Sequence, residues 1–169
     1  DHLNSKDNIK KIKEKFPNLI SIPCSADSEL ALREAAKANL IEYISGENNF
    51  KIKENLNEKQ TQALEIIKEN VLNKYENTGI QQILNTAVFQ LLNYIAIFPA
   101  GANKLSDSKG NILPDCFLLP EGSTALDFAF HLHTDFGKNF IKAIDARTKK
   151  ALGKDYKLKH RDALEIVAK

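Results

Sequence analysis

At 169 residues the chain is long enough for one hydrophobic core, or for two small ones joined by a linker. With 43% hydrophobic and 27% charged residues, its make-up excludes wholesale disorder. A formal net charge of +2 does not by itself imply a nucleic-acid partner, and two distant cysteines, Cys24 and Cys116, exclude a disulfide framework or a zinc site.

Those cysteines read as reduced thiols, so a cytoplasmic location is expected. No apolar run approaches the ~20 residues that cross a bilayer, no signal peptide is visible, and no membrane partner is expected. Methionine is absent, at position 1 as elsewhere, so the sequence is expected to be part of a longer chain.

Residues 1–50 read as helix, strand, helix. Ser5 is a plausible N-cap for "KDNIKKIKEKF", where Ile9, Ile12 and Phe16 share a face and lysines occupy the other. Pro17 and Asn18 end it. "LISIPC", residues 19–24, is a short apolar run of the kind found in parallel strands. "SADSELALREAAKANLIEYI" then follows a helical period. Such a run is a piece of an α/β domain, because a parallel strand needs neighbours; a small stand-alone α/β unit is the alternative.

Residues 51–93 read as a helical hairpin. Asn57 caps "EKQTQALEIIKENVLNKY", with an expected apolar stripe of Ala63, Ile66, Ile67 and Val71. "NTG", residues 77–79, stops that helix and turns the chain into "IQQILNTAVFQLLNY".

Residues 94–169 change character. "YIAIFPA", "CFLL", "FIKAIDA" and "ALEIVA" read as strands, with one helix in "EGSTALDFAFHLHTDFG" between the second and the third. The pattern is an α+β sheet with a helix packed across it, as in a small β-grasp domain. Thr124 and Asp127 fit a capping box, and Gly137 is expected to end the helix. On that helix His131 and His133 point to opposite sides and cannot chelate one metal; only a strand would put them on one face. "HRD", residues 160–162, looks like a kinase catalytic loop, but Val167 stands where that motif needs Asn, so a turn is expected.

Two stretches carry candidate binding chemistry. Cys24, Ser25 and Ala26 sit where an apolar strand gives way to a helix, the end of an open α/β sheet at which ligands bind; Ser-Ala is equally an ordinary helix start. Residues 138–161 hold nine Lys/Arg against two Asp. Arg147, Lys149, Lys150 and Lys154 there could meet RNA phosphates, or form a solvated basic face.

"LPEGSTALDFAFHLHTDFGKNFIKAIDARTKKALGKDYKLKHRDALEIVAK" resembles a TGS domain, the β-grasp module named for threonyl-tRNA synthetase, GTPases and SpoT. The likeness covers residues 94–169 and rests on the "GST..DFA..LH.D" helix, the "AI.AR" strand and the terminal "D..EI" strand. Upstream, "SADSELALREAAKANLIEYISG", the hairpin and "IFPAGANKLSDSKGNILPDCFLL" are similar to the C-terminal half of archaeal YchF-type GTP-binding proteins, Obg-related members of the TRAFAC class.

The resemblance implies the end of a Ras-like α/β G domain over residues 1–50, a helical connector over 51–93 and an α+β, ubiquitin-like TGS domain over 94–169. It also implies that Cys24, Ser25 and Ala26 are the last guanine-recognition motif, with Ser25 and the Ala26 amide at the base edge. Asp1 would be the aspartate of Asn-Lys-x-Asp, whose carboxylate accepts two hydrogen bonds from guanine. Because some relatives depart at that motif and prefer ATP, GTP against ATP stays open.

The parent is expected to hydrolyse GTP with magnesium. GxxxxGK[ST] does not occur in these residues, so they are not expected to do so alone. Expected partners are a guanine nucleotide and, through TGS, the ribosome or RNA. A stand-alone TGS-type regulatory or RNA-binding module without hydrolysis is the alternative. A synthetase or SpoT-like fragment does not fit the upstream context.

Overall fold

The computed structural model describes residues 4–53, 55–101, 105, 110–113 and 115–169. Its contacts divide into two units, Asp1–Thr86 and Ala87–Lys169. In the first unit, α1 (Ser5–Lys15) forms where the apolar period predicts it. Asn4 rather than Ser5 precedes the first turn; the Ser5 hydroxyl instead meets that of Tyr75 at 2.5 Å.

Residues 19–24, expected as a strand, form no ladder. A strand exists only by pairing, and without a paired neighbour Leu19 and Ile20 remain exposed. α2 (Ala26–Lys37) also ends sooner than the periodicity predicts. Asn39 adopts φ +60°, its N–H bonds to Ala36 O, and the Leu40 N–H bonds to Ala35 O. That pair of bonds is a Schellman stop, and Asn tolerates the left-handed position it requires. The chain leaves it as β1 (Ile41–Glu42), paired antiparallel with β2 (Lys51–Ile52).

α3 (Glu58–Ile67) starts at the expected cap: Asn57 Oδ1 accepts from the Gln60 N–H and Gln60 Oε1 from the Asn57 N–H, both at 2.9 Å. It runs through a π-helical turn (Lys68–Leu72) into α4 (Asn73–Tyr75), and Glu76 at φ +69° ends it. Leu64, Ile67, Val71 and Leu72 face inward, and three of them pack with Leu32 and Ile41. The expected stripe is therefore corrected: Ile66 and Ala63 point outward, because the core offered by α2 and β1 fixes which face is buried. α5 (Ile80–Asn85) begins after Gly79 and continues into a second π-helical turn (Thr86–Leu91).

The second unit is built on β3 (Tyr94–Pro99), β4 (Phe117–Pro120), β5 (Phe140–Asp145), β6 (Ala151–Leu152) and β7 (Ala163–Ala168). Their order is β4-β3-β7-β5-β6, with β3 and β7 parallel and the other pairs antiparallel. This mixed sheet, with α6 (Ala125–Leu132) packed on it, is the β-grasp arrangement. Phe128 is fully buried among Ile95, Ile97, Leu119, Leu158 and Leu164, and meets Phe117 edge-on at 6.1 Å between centroids.

Both halves of the predicted capping box are present, with the Thr124 N–H donating to Asp127 Oδ2 at 2.8 Å and the Asp127 N–H to Thr124 Oγ1 at 3.2 Å. The Thr124 backbone and hydroxyl bonds hold the Asp127 carboxyl below its ordinary value. The stretch expected as one helix is two, however. His133 is extended (φ −165°, ψ 143°), and its Nδ1 accepts the Asp135 N–H at 3.2 Å to cap α7 (Thr134–Lys138). His133 therefore both closes α6, its N–H donating to the Ala129 carbonyl at 3.1 Å, and starts α7.

Gly137 is not a terminator but a buried member of α7. A Cβ there would fall 2.2 Å from the Phe130 ring. Although alanine ordinarily favours a helix over glycine, Gly137→Ala is expected to cost about 1–3 kcal/mol through that overlap. A urea melt of the second unit reads the sign; a gain in stability would contradict the packing.

Candidate functional site

Ser25 is the residue before α2, and the loop leading to it is bonded to a distant turn. The Ser25 N–H donates to the Thr78 carbonyl at 2.8 Å, its hydroxyl donates to Ser28 Oγ at 2.8 Å, and its carbonyl accepts the Glu29 N–H at 3.1 Å. Ala26 is exposed at the first position of this 12-residue helix. There the backbone N–H groups have no intrahelical acceptor and the dipole is positive, so a polar acceptor is favoured. Cys24 is an exposed free thiol beside it. A cavity of about 260 Å³ opens against residues 23–25, its other walls including Ile9, Ile12 and Tyr75. Asp1 lies outside the described residues.

Two backbone groups therefore differ sharply in what they can do. The Ser25 amide is engaged within the fold and its hydroxyl is turned to Ser28, whereas the Ala26 amide stands at an exposed helix start. Of the expected pair, Ala26 is the one placed to donate outward.

The turn at 77–79 braces this loop. Gly79 has φ +83°, and a Cβ there would lie 2.0 Å from the Pro23 carbonyl oxygen; only glycine permits that approach. Asn77 Oδ1 accepts the Gly79 N–H at 2.7 Å. Buried Thr78 donates its hydroxyl to Glu29 Oε2 at 2.6 Å, and the Tyr43 hydroxyl donates to the same oxygen at 2.9 Å. Burial pushes the Glu29 carboxyl up, but hydrogen bonds from Thr78, Ser45 and Tyr43 and the Arg33 charge outweigh it, and Glu29 ends below its ordinary value. Burial and Glu29 together push the Tyr43 hydroxyl up to about 12. Glu29 thus stays ionised while only 4% exposed. Neither it nor Thr78 is singled out by local sequence pattern. "NTG" signals the turn, but nothing in it signals the partner.

The basic candidates fare unevenly. The Arg147 guanidinium donates to the Arg161 carbonyl, and Lys149 Nζ donates to the Ala146 carbonyl at 2.7 Å. Asp145 Oδ1 accepts from the Thr148 and Arg147 N–H groups, which hold its carboxyl low and tie the turn. Lys150 and Lys154 are exposed.

The residues of "HRD" fold as the expected turn. His160 Nδ1 accepts the Ala96 N–H at 3.1 Å, Arg161 adopts φ +69°, and Asp162 Oδ2 accepts the Lys159 N–H at 2.9 Å. The His131 ring meets Phe117 edge-on at 5.5 Å. Among the described residues, no group of three or more His, Cys, Asp or Glu could hold a metal, and no helix is long and apolar enough to cross a membrane.

Residues 1–101 match the family described as "Obg-like GTPase YGR210-like, G4 motif-containing domain", and residues 98–168 match the TGS domain. The chain is 45% identical over 171 residues to an uncharacterized GTP-binding protein of Methanocaldococcus jannaschii, covering 99% of this chain and 43% of that protein. An uncharacterized GTP-binding protein of Schizosaccharomyces pombe is 30% identical over 139 residues, covering 74% and 33%. A crystal structure of a GTP binding protein from Pyrococcus horikoshii OT3 superposes with a TM-score of 0.67 at 41% identity, covering 96% of this chain and 42% of that one. The chain thus spans less than half the length of these relatives.

Proposed function

The chain belongs to the YGR210-like branch of the Obg-like GTPases, and from that premise we propose that residues 24–26 form the base-reading end of a guanine-nucleotide site, and that the chain also carries a TGS module that faces a partner. The observation that carries this reading is Ala26, an exposed residue at the first position of a helix, whose N–H has no intrahelical acceptor and whose approach is fixed by the bond from Ser25 to Thr78. Guanine presents an acceptor, O6, where adenine presents an amino donor. A fixed N–H donor facing that position accepts guanine and repels adenine. Relatives whose names describe them as GTP-binding support the same nucleotide.

Asp1 is assigned N1 and N2, further along the same edge of the base. Cys24 and Ser25 frame the base, with Ser25 acting through its bonds to the fold. In the whole protein, GTP bound with Mg²⁺ would be hydrolysed; GxxxxGK[ST] is absent from these residues, so phosphate binding and hydrolysis are assigned outside them. In this reading residues 1–50 end the G domain, 51–93 connect, and 94–169 form TGS. A cytoplasmic, translation-associated role goes with it.

Titration of the full-length gene product with fluorescent GDP, competed by ADP, tests the base reading. GDP should bind at least tenfold more tightly, the discrimination expected of one well-made base contact. Equal affinities would overturn it. For TGS, exposed Lys150 and Lys154 support RNA as the partner. Salt-dependent RNA binding, weakened by Lys150→Glu with Lys154→Glu, is the expected result; no binding at low salt contradicts it.

A further inference from the structure

We propose that Thr78 is a positioning residue for base recognition, which makes the turn of the helical hairpin part of the nucleotide site; the proposal rests on the guanine reading of Ala26. Thr78 grips the start of α2 at two points. Its carbonyl accepts the Ser25 N–H at 2.8 Å, immediately before the peptide that carries the Ala26 N–H. Its hydroxyl donates to Glu29 Oε2 at 2.6 Å, one turn further along the same helix. With both bonds made, α2 can neither slide along its axis nor rotate about it relative to the turn, so the direction of the Ala26 N–H is fixed before any base arrives. The bonds that hold this donor in place are themselves shielded from water, for Thr78 is 1% exposed.

The neighbours of Thr78 tighten the same contact. Gly79 lets the turn approach until its Cα stands against the Pro23 carbonyl and Cys24. Asn77 caps the turn through the Gly79 N–H at 2.7 Å. Tyr43 supplies the second donor to Glu29 Oε2, at 2.9 Å. Thr78 thus joins the loop to the turn between α4 and α5, and a shift of that turn moves the base-reading amide. By linkage, a base held by Ala26 biases the turn equally.

The test uses the full-length gene product and two ligands: GDP, and 2-aminopurine riboside 5′-diphosphate, which lacks the 6-oxygen and the N1 proton. The N1 difference is common to every variant, so a change in preference between variants reads the 6-oxygen. Thr78→Val keeps the shape and loses the hydroxyl. The preference for GDP over the analogue is expected to fall at least about tenfold, the lower end of what one hydrogen bond to a charged group is worth. Thr78→Ser should restore it. Tyr43→Phe should lower thermal stability and leave the preference unchanged, whereas a merely structural role for Thr78 would weaken both ligands alike.

A folded Thr78→Val protein with the wild-type preference overturns the proposal, as does Tyr43→Phe matching its effect. Amide exchange of Ser25 reads the contact without nucleotide. It is expected to be slow in the wild type, in step with Gly79, and faster in Thr78→Val. Fast exchange in the wild type overturns the proposal even where the variant does not fold. A wild type that does not prefer GDP sinks the guanine reading alone, and an unchanged Ser25 rate in Thr78→Val then sinks the positioning role.

Discussion

Gly79→Ala is expected to destabilise the first unit by about 3 kcal/mol, combining ~1–2 kcal/mol for a left-handed alanine with ~1–3 kcal/mol for overlap. The left-handed φ of +83° is only part of the cost. The new Cβ would stand 2.0 Å from the Pro23 carbonyl oxygen and 2.9 Å from the Cys24 Cα, and backbone on both sides of the clash cannot swing aside as a side-chain tip would. Either the turn retreats from the loop or the loop leaves the turn. Both lengthen the 2.8 Å bond from the Ser25 N–H to the Thr78 carbonyl. Hydrogen exchange resolved to peptides should accelerate in segments spanning residues 22–32 and 76–82, with peptides from 117–168 unchanged. Wild-type protection in the first two segments would mean that Gly79 does not brace the loop.

A larger loss is expected in the second unit. Phe128→Ala removes a ring that is fully buried among five aliphatic side chains and in edge contact with Phe117. Truncation of such a ring costs ~3–5 kcal/mol, a large part of the ~5–15 kcal/mol that holds a typical domain. The unfolding midpoint of the TGS unit in urea should fall steeply. Phe128→Leu, which fills much of the space, should recover more than half of the difference. If alanine is tolerated within 1 kcal/mol, α6 is not the element that closes this core.

The second unit was legible because its signals are local. The capping box is contained in residues 124–127, the apolar strands are bounded by turns, and each signal points to the same β-grasp arrangement. Where local reading failed there, a neighbour in space was responsible. Gly137 reads as a helix terminator, but its missing side chain makes room for Phe130, and His133 splits a helix because its ring caps the next one.

In the first unit the decisive contacts are long-range. Thr78 and Glu29 are 49 residues apart, so no periodicity relates them, and a buried glutamate in an Ala-rich helix looks like any solvated one. "LISIPC" carries the apolar signature of a strand, but a strand also needs a ladder partner, which composition cannot supply. The candidate site was therefore half visible: residues 24–26 were identifiable as a helix start and a candidate binding stretch, while the brace that fixes them was not.

The guanine reading turns on one backbone amide. With the full-length gene product labelled with ¹⁵N-alanine, titration with GDP is predicted to move the Ala26 amide resonance downfield to saturation, as its N–H takes the guanine oxygen, while ADP leaves it in place. An Ala26 resonance unmoved by saturating GDP, or moved equally by ADP, would contradict the assignment of residues 24–26 as the base-reading stretch.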